Sequence, residues 1–453
     1  MKRGKNVADT HKIAVVTLGC PKNVVMSEQM IYRLEKAGYQ IVAAYSEADV
    51  IVLNTCAFID SAKAEAVENI LELLKFKDDG TLKKLIVAGC LAEDVKNEIT
   101  EEFPGVDGVM GCGSYDEIVD VVESALRDEH PARFGPLNAP VTECGRVRLT
   151  AWYSAYLRIA EGCSNHCSYC IIPSLRGPYR SRDEDSIVKE CEGLAADGVR
   201  EINVIAQDVT RYGEDLPGKS LASLLRRIAG IDGIEWIRLH YLYPERITDE
   251  LIEVIRTEDK IVKYLDIPIQ HASDRILRAM NRRSTQAELR SLFRKLLERI
   301  PGVVLRTTVM VGFPGETDGD FEELCDFMKE VRFERAGVFV FSPQEGTKAA
   351  SLPDPVEEET ANHRHELLSE LQDRIMNAYY DSLVGKTFRV LCEGYDRIAE
   401  TSFGRTYADS PDIDGKVFFK ASPRPRDGDF IDITIDENYE GELFGSPAKE
   451  AES

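Results

Sequence analysis

The feature that most constrains the fold of this chain is an alternation of apolar runs and helical segments near its N-terminus. Over residues 12–126 the predicted strands KIAVVTLGC, ADVIVLNTC and KKLIVAGC are separated by predicted helices over 27–37 and 61–75. Apolar runs of this kind are typical of strands in a parallel sheet that helices cover on both faces. The sequence therefore predicts an α/β protein whose N-terminal domain, residues 11–126, is an open parallel sheet.

Each of these three predicted strands ends in a cysteine. Cys20, Cys56 and Cys90 are separated by 36 and 34 residues, about one strand–helix unit each. The carboxyl ends of parallel strands share one edge of a sheet, and open α/β sheets bind their ligands at that edge. We therefore expect the three thiols to converge on one site.

Three further regions follow this domain. Residues 127–150 are rich in Pro, Gly, Asn and Glu, and we interpret them as a linker. Apolar strands alternate with helices again over residues 151–380, which predicts a partial (β/α) barrel with its active site on the loops after the strands. Short alternating strands with Gly and Asp turns over residues 383–447 predict a small antiparallel β-barrel.

Composition narrows the class of protein. The net charge of −23 disfavours broad nucleic-acid binding, which requires a cationic surface. The chain has no run of about 18 apolar residues, and its first residues, MKRGKNVADTHK, lack the apolar core of a signal peptide. We therefore expect a cytoplasmic protein with no membrane span. In such a protein, 11 cysteines indicate metal binding or catalysis rather than a disulfide framework.

The strongest chemical signal is the segment AEGCSNHCSYCIIP, which follows the first predicted barrel strand. Cys163, Cys167 and Cys170 are spaced so that they can bind three irons of a [4Fe-4S] cluster and leave the fourth iron open. S-adenosylmethionine (SAM) can bind that iron through its amino and carboxylate groups. Zinc is the alternative, but structural zinc takes four ligands, and His166 lies inside the same tight loop, where ligation is sterically awkward.

Four motifs together resemble those of the radical SAM methylthiotransferases. They are TLGCPKN at 17–23, LNTCAFI at 53–59, VAGCLAE at 87–93 and EGCSNHCSYCIIPSLRG at 161–177. The resemblance covers essentially the whole chain and includes a C-terminal module that looks like a TRAM domain. It implies a central radical SAM barrel and a cofactor set of two [4Fe-4S] clusters and SAM, which serves both as methyl donor and as radical source.

The resemblance also implies which residues hold these cofactors. The implied metal ligands, of which the last three are also catalytic, are Cys20, Cys56, Cys90, Cys163, Cys167 and Cys170. The residues expected to contact SAM are Gln207, Asp208, Gln270, Arg306 and Gly312. Arg176 is a further candidate for binding a carboxylate. We expect structural roles for Tyr241, Tyr243, Cys112, Cys144, Cys191, Cys325 and Cys392.

Two subfamilies of these enzymes differ in substrate: one modifies an adenosine in tRNA, the other an aspartate in a small-subunit ribosomal protein. LGCPKN in place of YGCQMN, and AQD followed by TRYG in place of GQNV, favour the second. The TRAM-like module is also acidic, with eight basic and 13 acidic residues over 384–445. Such a module suits a basic protein better than tRNA phosphates. Its expected docking carboxylates are Asp409, Asp412, Asp414, Asp427 and Asp429.

The implied reaction inserts a methylthio group at the β-carbon of an aspartate in the ribosomal protein of the decoding centre. One SAM methylates sulfur held at the second cluster, and another is cleaved to a 5′-deoxyadenosyl radical, because no side-chain base can remove that hydrogen. The expected partners are the basic ribosomal protein and an electron donor such as flavodoxin or ferredoxin, with a monomeric enzyme and no strong nucleic-acid binding. The alternatives are a tRNA adenosine methylthiotransferase and a non-catalytic iron–sulfur electron-transfer or RNA-binding protein.

Overall fold

The computed structural model describes residues 11–141 and 143–448, which form two parallel sheets with their helices and a closed barrel. The first sheet consists of β1 (Lys12–Thr17), β2 (Gln40–Ile41), β3 (Val50–Thr55), β4 (Lys84–Gly89), β5 (Gly108–Met110) and β6 (Ala132–Arg133). Its order is β2-β1-β3-β4-β5-β6, and every pair is parallel. Its helices are α1 (Pro21–Lys36), α2 (Asp60–Asp78), α3 (Cys90–Val95), α4 (Glu98–Glu102) and α5 (Ile118–Leu126).

This sheet is covered on both faces, as its apolar strands predict. All six residues of β3 are buried. Val50 and Val52 pack with side chains of α1 and α5, whereas Ile51 and Leu53 pack with side chains of α2 on the opposite face. Part of the predicted linker, residues 127–150, belongs to this sheet, because β6 lies in that segment and pairs with β5.

The second sheet is the open, wholly parallel sheet of a partial barrel. Its strands are β7 (Ser154–Arg158), β10 (Glu201–Ile205), β11 (Trp236–Leu239), β12 (Ile261–Asp266), β13 (Val304–Val311) and β14 (Arg335–Val340), in that order across the sheet. A separate antiparallel pair is formed by β8 (Ala160–Glu161) and β9 (Arg180–Ser181). The helices are α6 (Ile172–Arg176), α7 (Glu184–Ala196), α8 (Leu221–Ala229), α9 (Asp249–Thr257), α10 (Asp274–Ala279), α11 (Gln286–Arg299), α12 (Asp318–Val331) and α13 (Glu358–Asp381).

The C-terminal region is a closed five-stranded barrel of order β15-β16-β17-β19-β18. These strands are β15 (Thr387–Asp396), β16 (Thr401–Arg405), β17 (Val417–Phe419), β18 (Phe430–Tyr439) and β19 (Glu442–Pro447). All pairs are antiparallel, as predicted, except that β17 and β19 are parallel. No helix in the described part of the chain is long and apolar enough to span a membrane.

The C-terminal barrel packs against the N-terminal ends of the central strands. Trp236 and Val304, the first residues of β11 and β13, are buried in one apolar cluster with Leu391 of β15. The Trp236 ring meets the Phe430 ring edge to face, with 4.8 Å between their centroids. This interface therefore lies at the opposite end of the central strands from their carboxyl ends.

Three charged residues of this barrel, Arg405, Asp409 and Asp414, are paired with residues of the central barrel. Arg405 donates to both carboxylate oxygens of Glu201 in β10, at 3.1 and 2.7 Å. Asp409 accepts a hydrogen bond of 2.8 Å from Arg335 in β14. We call this set of contacts the floor of the central barrel.

The floor changes the interpretation of the acidic C-terminal module. Asp409 is only 2% exposed, and Asp414 accepts hydrogen bonds from Arg306 at 3.1 Å and from Tyr264 at 2.6 Å. Both carboxylates were expected on the docking surface of the module, but they are committed to arginines inside the chain. An acidic docking surface must therefore be built from other carboxylates of the module.

Candidate active site

One cavity lies where the carboxyl ends of the two parallel sheets face each other. Its volume is about 320 Å³, and six cysteines line it. Three come from the N-terminal sheet and three from the loop that follows β8; they are Cys20, Cys56, Cys90, Cys163, Cys167 and Cys170. The two cysteine sets that the sequence singled out separately are thus brought to one space.

The first set lies at the ends of β1, β3 and β4. Cys20 is the N-cap residue of α1, and Cys90 is the first residue of α3. The Cys112 thiol lies 4.0 Å from the sulfur of Cys90. A hydrogen bond from the Cys112 thiol outweighs burial and, together with the charge of Arg176, lowers the pKa of Cys90 below its usual range. Cys112 was interpreted as structural, and its position beside a candidate ligand is not visible in the sequence.

A buried network of amide and hydroxyl groups fixes the loops that carry this first set. The Asn23 amide donates to the carbonyls of Leu18 and Thr55, both at 2.9 Å. Asn54 donates to the Asn23 carbonyl at 3.0 Å, and the Thr55 hydroxyl donates to the Ala88 carbonyl at 2.6 Å. Asn23, Asn54 and Thr55 were not predicted as site residues, although their polar side chains close to Cys20 and Cys56 in two of the quoted motifs were a usable signal.

The second set lies on a loop that hydrogen bonds hold in shape. The Cys163 amide donates to the Gly177 carbonyl, and the Cys170 amide donates to the Cys167 carbonyl, each at 3.1 Å. Burial raises the pKa of Cys163 to about 11 and that of Cys170 to about 12. Burial likewise raises the pKa of Cys56 to about 11. These thiols must therefore release protons when they bind a metal.

The donor arrangement fits a cluster better than a single zinc ion. Across residues 11–141 and 143–448, no three His, Cys, Asp or Glu side chains are close enough together to bind one metal ion. Thiolates on a [4Fe-4S] cube bind different irons, so they are spaced more widely than the four ligands of tetrahedral zinc. Two sets of three thiols facing one cavity match this requirement.

Two of the five residues expected to contact SAM line the cavity, namely Gln207 and Gln270. The amide nitrogen of Gln207 donates to Glu161 at 2.6 Å. Its amide oxygen is buried, and no group in the described chain donates a hydrogen bond to it. A buried acceptor of this kind beside the second cysteine set fits the amino group of SAM.

Asp208 and Gly312, also expected at SAM, do not line the cavity. The Asp208 carboxylate accepts hydrogen bonds from Asn165 at 2.8 Å and from the Thr210 amide at 3.1 Å, so it holds the cysteine loop in place. Gly312 has φ +75°, and a Cβ there would lie 2.6 Å from the Cβ of Ala361. Close packing against α13 therefore explains why glycine occupies position 312.

Arg306 and Arg176 were both candidates for binding a carboxylate, and the structure separates them. Arg306 belongs to the floor through Asp414 and lies 3.6 Å from Asp266, so it does not face the cavity. Arg176 does line the cavity, where its guanidinium donates to the sulfur of Cys90 at 3.2 Å and lies 3.6 Å from Glu161. Arg176 thus connects the two sides of the cavity.

Tyr241 and Tyr243 were expected to have only a packing role in the barrel. In the structure both residues line the cavity. Tyr241 follows β11 with φ +64°, and its amide donates to Asp266 at 3.2 Å. Backbone of this kind in a non-glycine residue is concentrated at functional sites. Burial lowers the pKa of Lys22, which contacts the Tyr241 ring, to about 8.

Three family models match the chain. The model of the radical SAM superfamily matches residues 157–328, that of uncharacterized protein family UPF0004 matches residues 12–111, and that of the TRAM domain matches residues 384–447. The curated ribosomal protein uS12 methylthiotransferase RimO of Geotalea uraniireducens is 46% identical over 438 residues, which cover 96% of this chain and 98% of that protein. The protein of the same name from Pelotomaculum thermopropionicum is 47% identical, with 96% and 98% covered. The chain belongs to the RimO family of radical SAM methylthiotransferases.

Solved structures share the fold at much lower identity. The radical SAM methyltransferase TsrM from Kitasatospora setae, solved with cobalamin and a [4Fe-4S] cluster, has a TM-score of 0.53 at 14% identity, covering 74% of this chain and 73% of that one. The cobalamin-dependent SAM radical enzyme OxsB has a TM-score of 0.51 at 12% identity, covering 81% and 56%. These likenesses concern the fold alone.

The family confirms several predictions made from the sequence. The radical SAM methylthiotransferase class, the α/β fold with its C-terminal barrel, and the cofactor set of [4Fe-4S] clusters and SAM all follow from it. The individual ligands and the domain limits remain predictions.

Binding of a cluster by the loop of Cys163 and Cys170 should weaken as pH falls. Both pKa values lie far above neutrality, so at neutral pH the free loop carries protonated thiols, and each thiol that binds iron releases a proton. We expect the apparent affinity to fall about tenfold per thiol for each pH unit of acidification. Chelator competition with reconstituted protein at several pH values measures this, and a pH-independent loss of iron contradicts it.

Proposed function

We propose that this chain attaches a methylthio group to the β-carbon of an aspartate in ribosomal protein uS12. Relatives named for uS12 methylthio transfer match it over 96% of its length. The structural observation that carries the proposal is the single cavity lined by both cysteine sets. In such a cavity one substrate carbon can meet both sets of ligands, as the insertion of a sulfur group at an unactivated carbon requires.

We assign each cysteine set to one cluster. Cys163, Cys167 and Cys170 would hold the cluster that binds SAM, and the second cluster would be held by Cys20, Cys56 and Cys90. When bound, these groups supply the one-electron chemistry that removes hydrogen from carbon and the sulfur that replaces it. Gln207 and Gln270 are the residues that we assign to SAM.

The contribution of the protein is to orient the reacting groups and to exclude water. Asn165, held by Asp208, and the backbone bonds of the cysteine loop orient one side of the cavity. Apolar and aromatic side chains cover much of the rest, and they include Phe58, Tyr169, Ile172, Leu175 and Leu242. Such a lining keeps competing hydrogen donors away from the reacting carbon.

The domain limits and partners belong to the same proposal. We take residues 11–126 as the domain of the second cluster, 127–150 as a connecting segment, 151–380 as the radical SAM domain and 383–447 as the TRAM domain. A ribosomal substrate implies a cytoplasmic enzyme, and the net charge of −23 supports a basic protein rather than nucleic acid as its partner. We propose a monomer that receives electrons from a flavodoxin or ferredoxin.

The test uses full-length protein, purified and reconstituted without oxygen. Iron and sulfide are counted in the wild type and in a Cys163/Cys167/Cys170→Ala variant, and the wild type is then incubated with SAM, dithionite, sulfide and a uS12 peptide. We expect about eight irons in the wild type and about four in the variant, since each cluster contributes four. The target aspartate of the peptide should gain a methylthio group, detected by mass spectrometry.

Each other outcome has a distinct meaning. Two clusters with an unmodified peptide, followed by methylthio transfer to a tRNA adenosine, would replace uS12 as the substrate. Only four irons in the wild type would remove the second cluster from the proposal. Absence of 5′-deoxyadenosine after reduction would favour an electron-transfer protein over an enzyme.

A further inference from the structure

Lys22 presents a buried ammonium group to the active-site cavity. The residue is only 7% exposed, and its Nζ lies 3.3 Å from the centroid of the Tyr241 ring. No carboxylate or carbonyl of residues 11–141 and 143–448 accepts a hydrogen bond from it. A buried charge without a counter-ion is costly, so its retention beside a cavity points to an anionic ligand.

The other cations that line the cavity are already engaged. Arg176 donates to the amide oxygen of Asn23 at 2.5 Å and to the sulfur of Cys90. Arg282 donates to the Pro268 carbonyl at 2.6 Å, and its guanidinium lies 4.1 Å from the centroid of the Tyr243 ring. Lys22 is thus the lining cation without a polar partner in the described chain.

The nearest acidic groups do not neutralise Lys22 either. Glu161 is bound by Arg158 at 2.9 Å and by the Gln207 amide at 2.6 Å. Asp266 accepts from the Tyr241 amide at 3.2 Å and lies 3.6 Å from Arg306. The second oxygen of Asp266, Oδ1, is buried without a hydrogen-bond donor among the described residues. Neither carboxylate accepts a hydrogen bond from Lys22, so its ammonium remains available to a group that enters the cavity.

We propose that Lys22 binds the side-chain carboxylate of the substrate aspartate and thereby selects aspartate over asparagine. This inference rests on the proposed function. Lys22 is two residues from Cys20, in the first turn of α1, so a carboxylate bound there lies beside the cysteine set assigned to the second cluster. The β-carbon of aspartate is bonded directly to that carboxylate. Binding of the carboxylate by Lys22 therefore positions the β-carbon.

The Tyr241 ring fixes the position of the Lys22 ammonium group. A cation held over an aromatic face loses freedom but keeps its hydrogen-bond donors for a further ligand. An asparagine side chain would leave the ammonium without a counter-charge, and sites built around a buried polar group reject ligands that cannot satisfy it. Lys22 is therefore a specificity-determining residue that acts before the chemical step.

The test compares two uS12 peptides that differ only in aspartate or asparagine at the target position. Reconstituted wild type should prefer the aspartate peptide by about 100-fold or more in kcat/KM. Lys22→Met should raise KM for the aspartate peptide about 10- to 100-fold and bring the preference close to unity, because a charge-assisted bond is lost. Lys22→Arg should retain most of the preference.

Two controls separate an anchor from a structural role. Lys36→Met, at the exposed end of the same helix, should behave as wild type. Iron is counted in Lys22→Met and Lys22→Arg, so that a loss of clusters is distinguished from a change in KM and in the aspartate preference.

The inference is overturned if wild type modifies both peptides equally well, a result that needs no variant. It is also overturned if Lys22→Met keeps the wild-type KM and preference. If Lys22→Met does not load both clusters, the wild-type comparison and Lys22→Arg decide instead. If wild type modifies neither peptide but cleaves SAM, the proposed substrate fails, and the anchor fails with it.

Discussion

Replacing Glu201 with alanine should lower the free energy of unfolding by about 3–5 kcal/mol, because the buried guanidinium of Arg238 loses its counter-ion and that of Arg405 keeps only Glu393. Glu201 accepts two hydrogen bonds from Arg405 and one of 3.3 Å from Arg238, and all three residues are buried. Burial alone would raise the pKa of Glu201, but the two arginines outweigh it and lower that pKa to about 2. The carboxylate is therefore ionised throughout the neutral range.

Urea unfolding of the full chain measures this effect, and the matched control is Glu250→Ala. Glu250 pairs with Arg226 at 2.7 Å, but both side chains are about half exposed. Removal of such a surface pair should cost no more than about 1 kcal/mol. Since Glu201 connects the central barrel to the C-terminal barrel, Glu201→Ala should also speed proteolysis between α13 and β15. A loss no larger than that of the control would contradict the importance of the floor.

Gly89→Ala should abolish methylthio transfer and leave reductive SAM cleavage in place. Gly89 precedes Cys90 with φ +98°, and a Cβ there would lie 2.5 Å from the Asn54 amide oxygen. It would also lie 2.6 and 2.8 Å from the backbone oxygen and nitrogen of Thr55. Backbone in a buried sheet cannot move aside, so the loop carrying Cys90 must shift. We expect iron to fall from about eight to about four per chain.

Gly80→Ala is the matched control for this variant. Gly80 has a similar φ of +82°, but no atom lies within 4 Å of the position that a Cβ would occupy. It therefore carries the conformational strain of about 1–2 kcal/mol without the collision. Gly80→Ala should keep both clusters and full activity. A Gly89→Ala protein with wild-type iron content and transfer activity would show that the loop tolerates displacement.

The parts of the molecule that are local in sequence were predictable. Each cysteine of the first set follows a strand directly, so strand prediction already placed three thiols at one sheet edge. The start of α1 was wrong, because the helix begins at Pro21 rather than at residue 27. Proline is favoured in the first turn of a helix, where its missing N–H costs nothing. That error concealed the position of Lys22 on the helix, and with it the candidate substrate anchor.

The parts that depend on distant pairing were not predictable. Arg405 and Glu201 are 204 residues apart, and nothing in either local segment indicates the other. Arg306 was expected to contact SAM as a partner for its carboxylate, but it pairs instead with Asp414, which comes from a separate barrel. Cys112 approaches Cys90 because β4 and β5 are neighbours in the sheet. Such contacts require the topology, which a single sequence does not specify.

The position of the C-terminal barrel has a kinetic consequence. It is attached at the N-terminal ends of the central strands, whereas the cavity opens at their carboxyl ends. At a rise of about 3.3 Å per residue, strands of this length separate the two by roughly 15–25 Å. A macromolecule bound by the C-terminal barrel is therefore held far from the reacting carbon. Its contacts with the barrel are the same before and during the reaction. Such binding raises kcat/KM, which governs the rate at low substrate concentration, but leaves kcat unchanged. Substrate binding and the chemical step therefore depend on residues at opposite ends of the same strands.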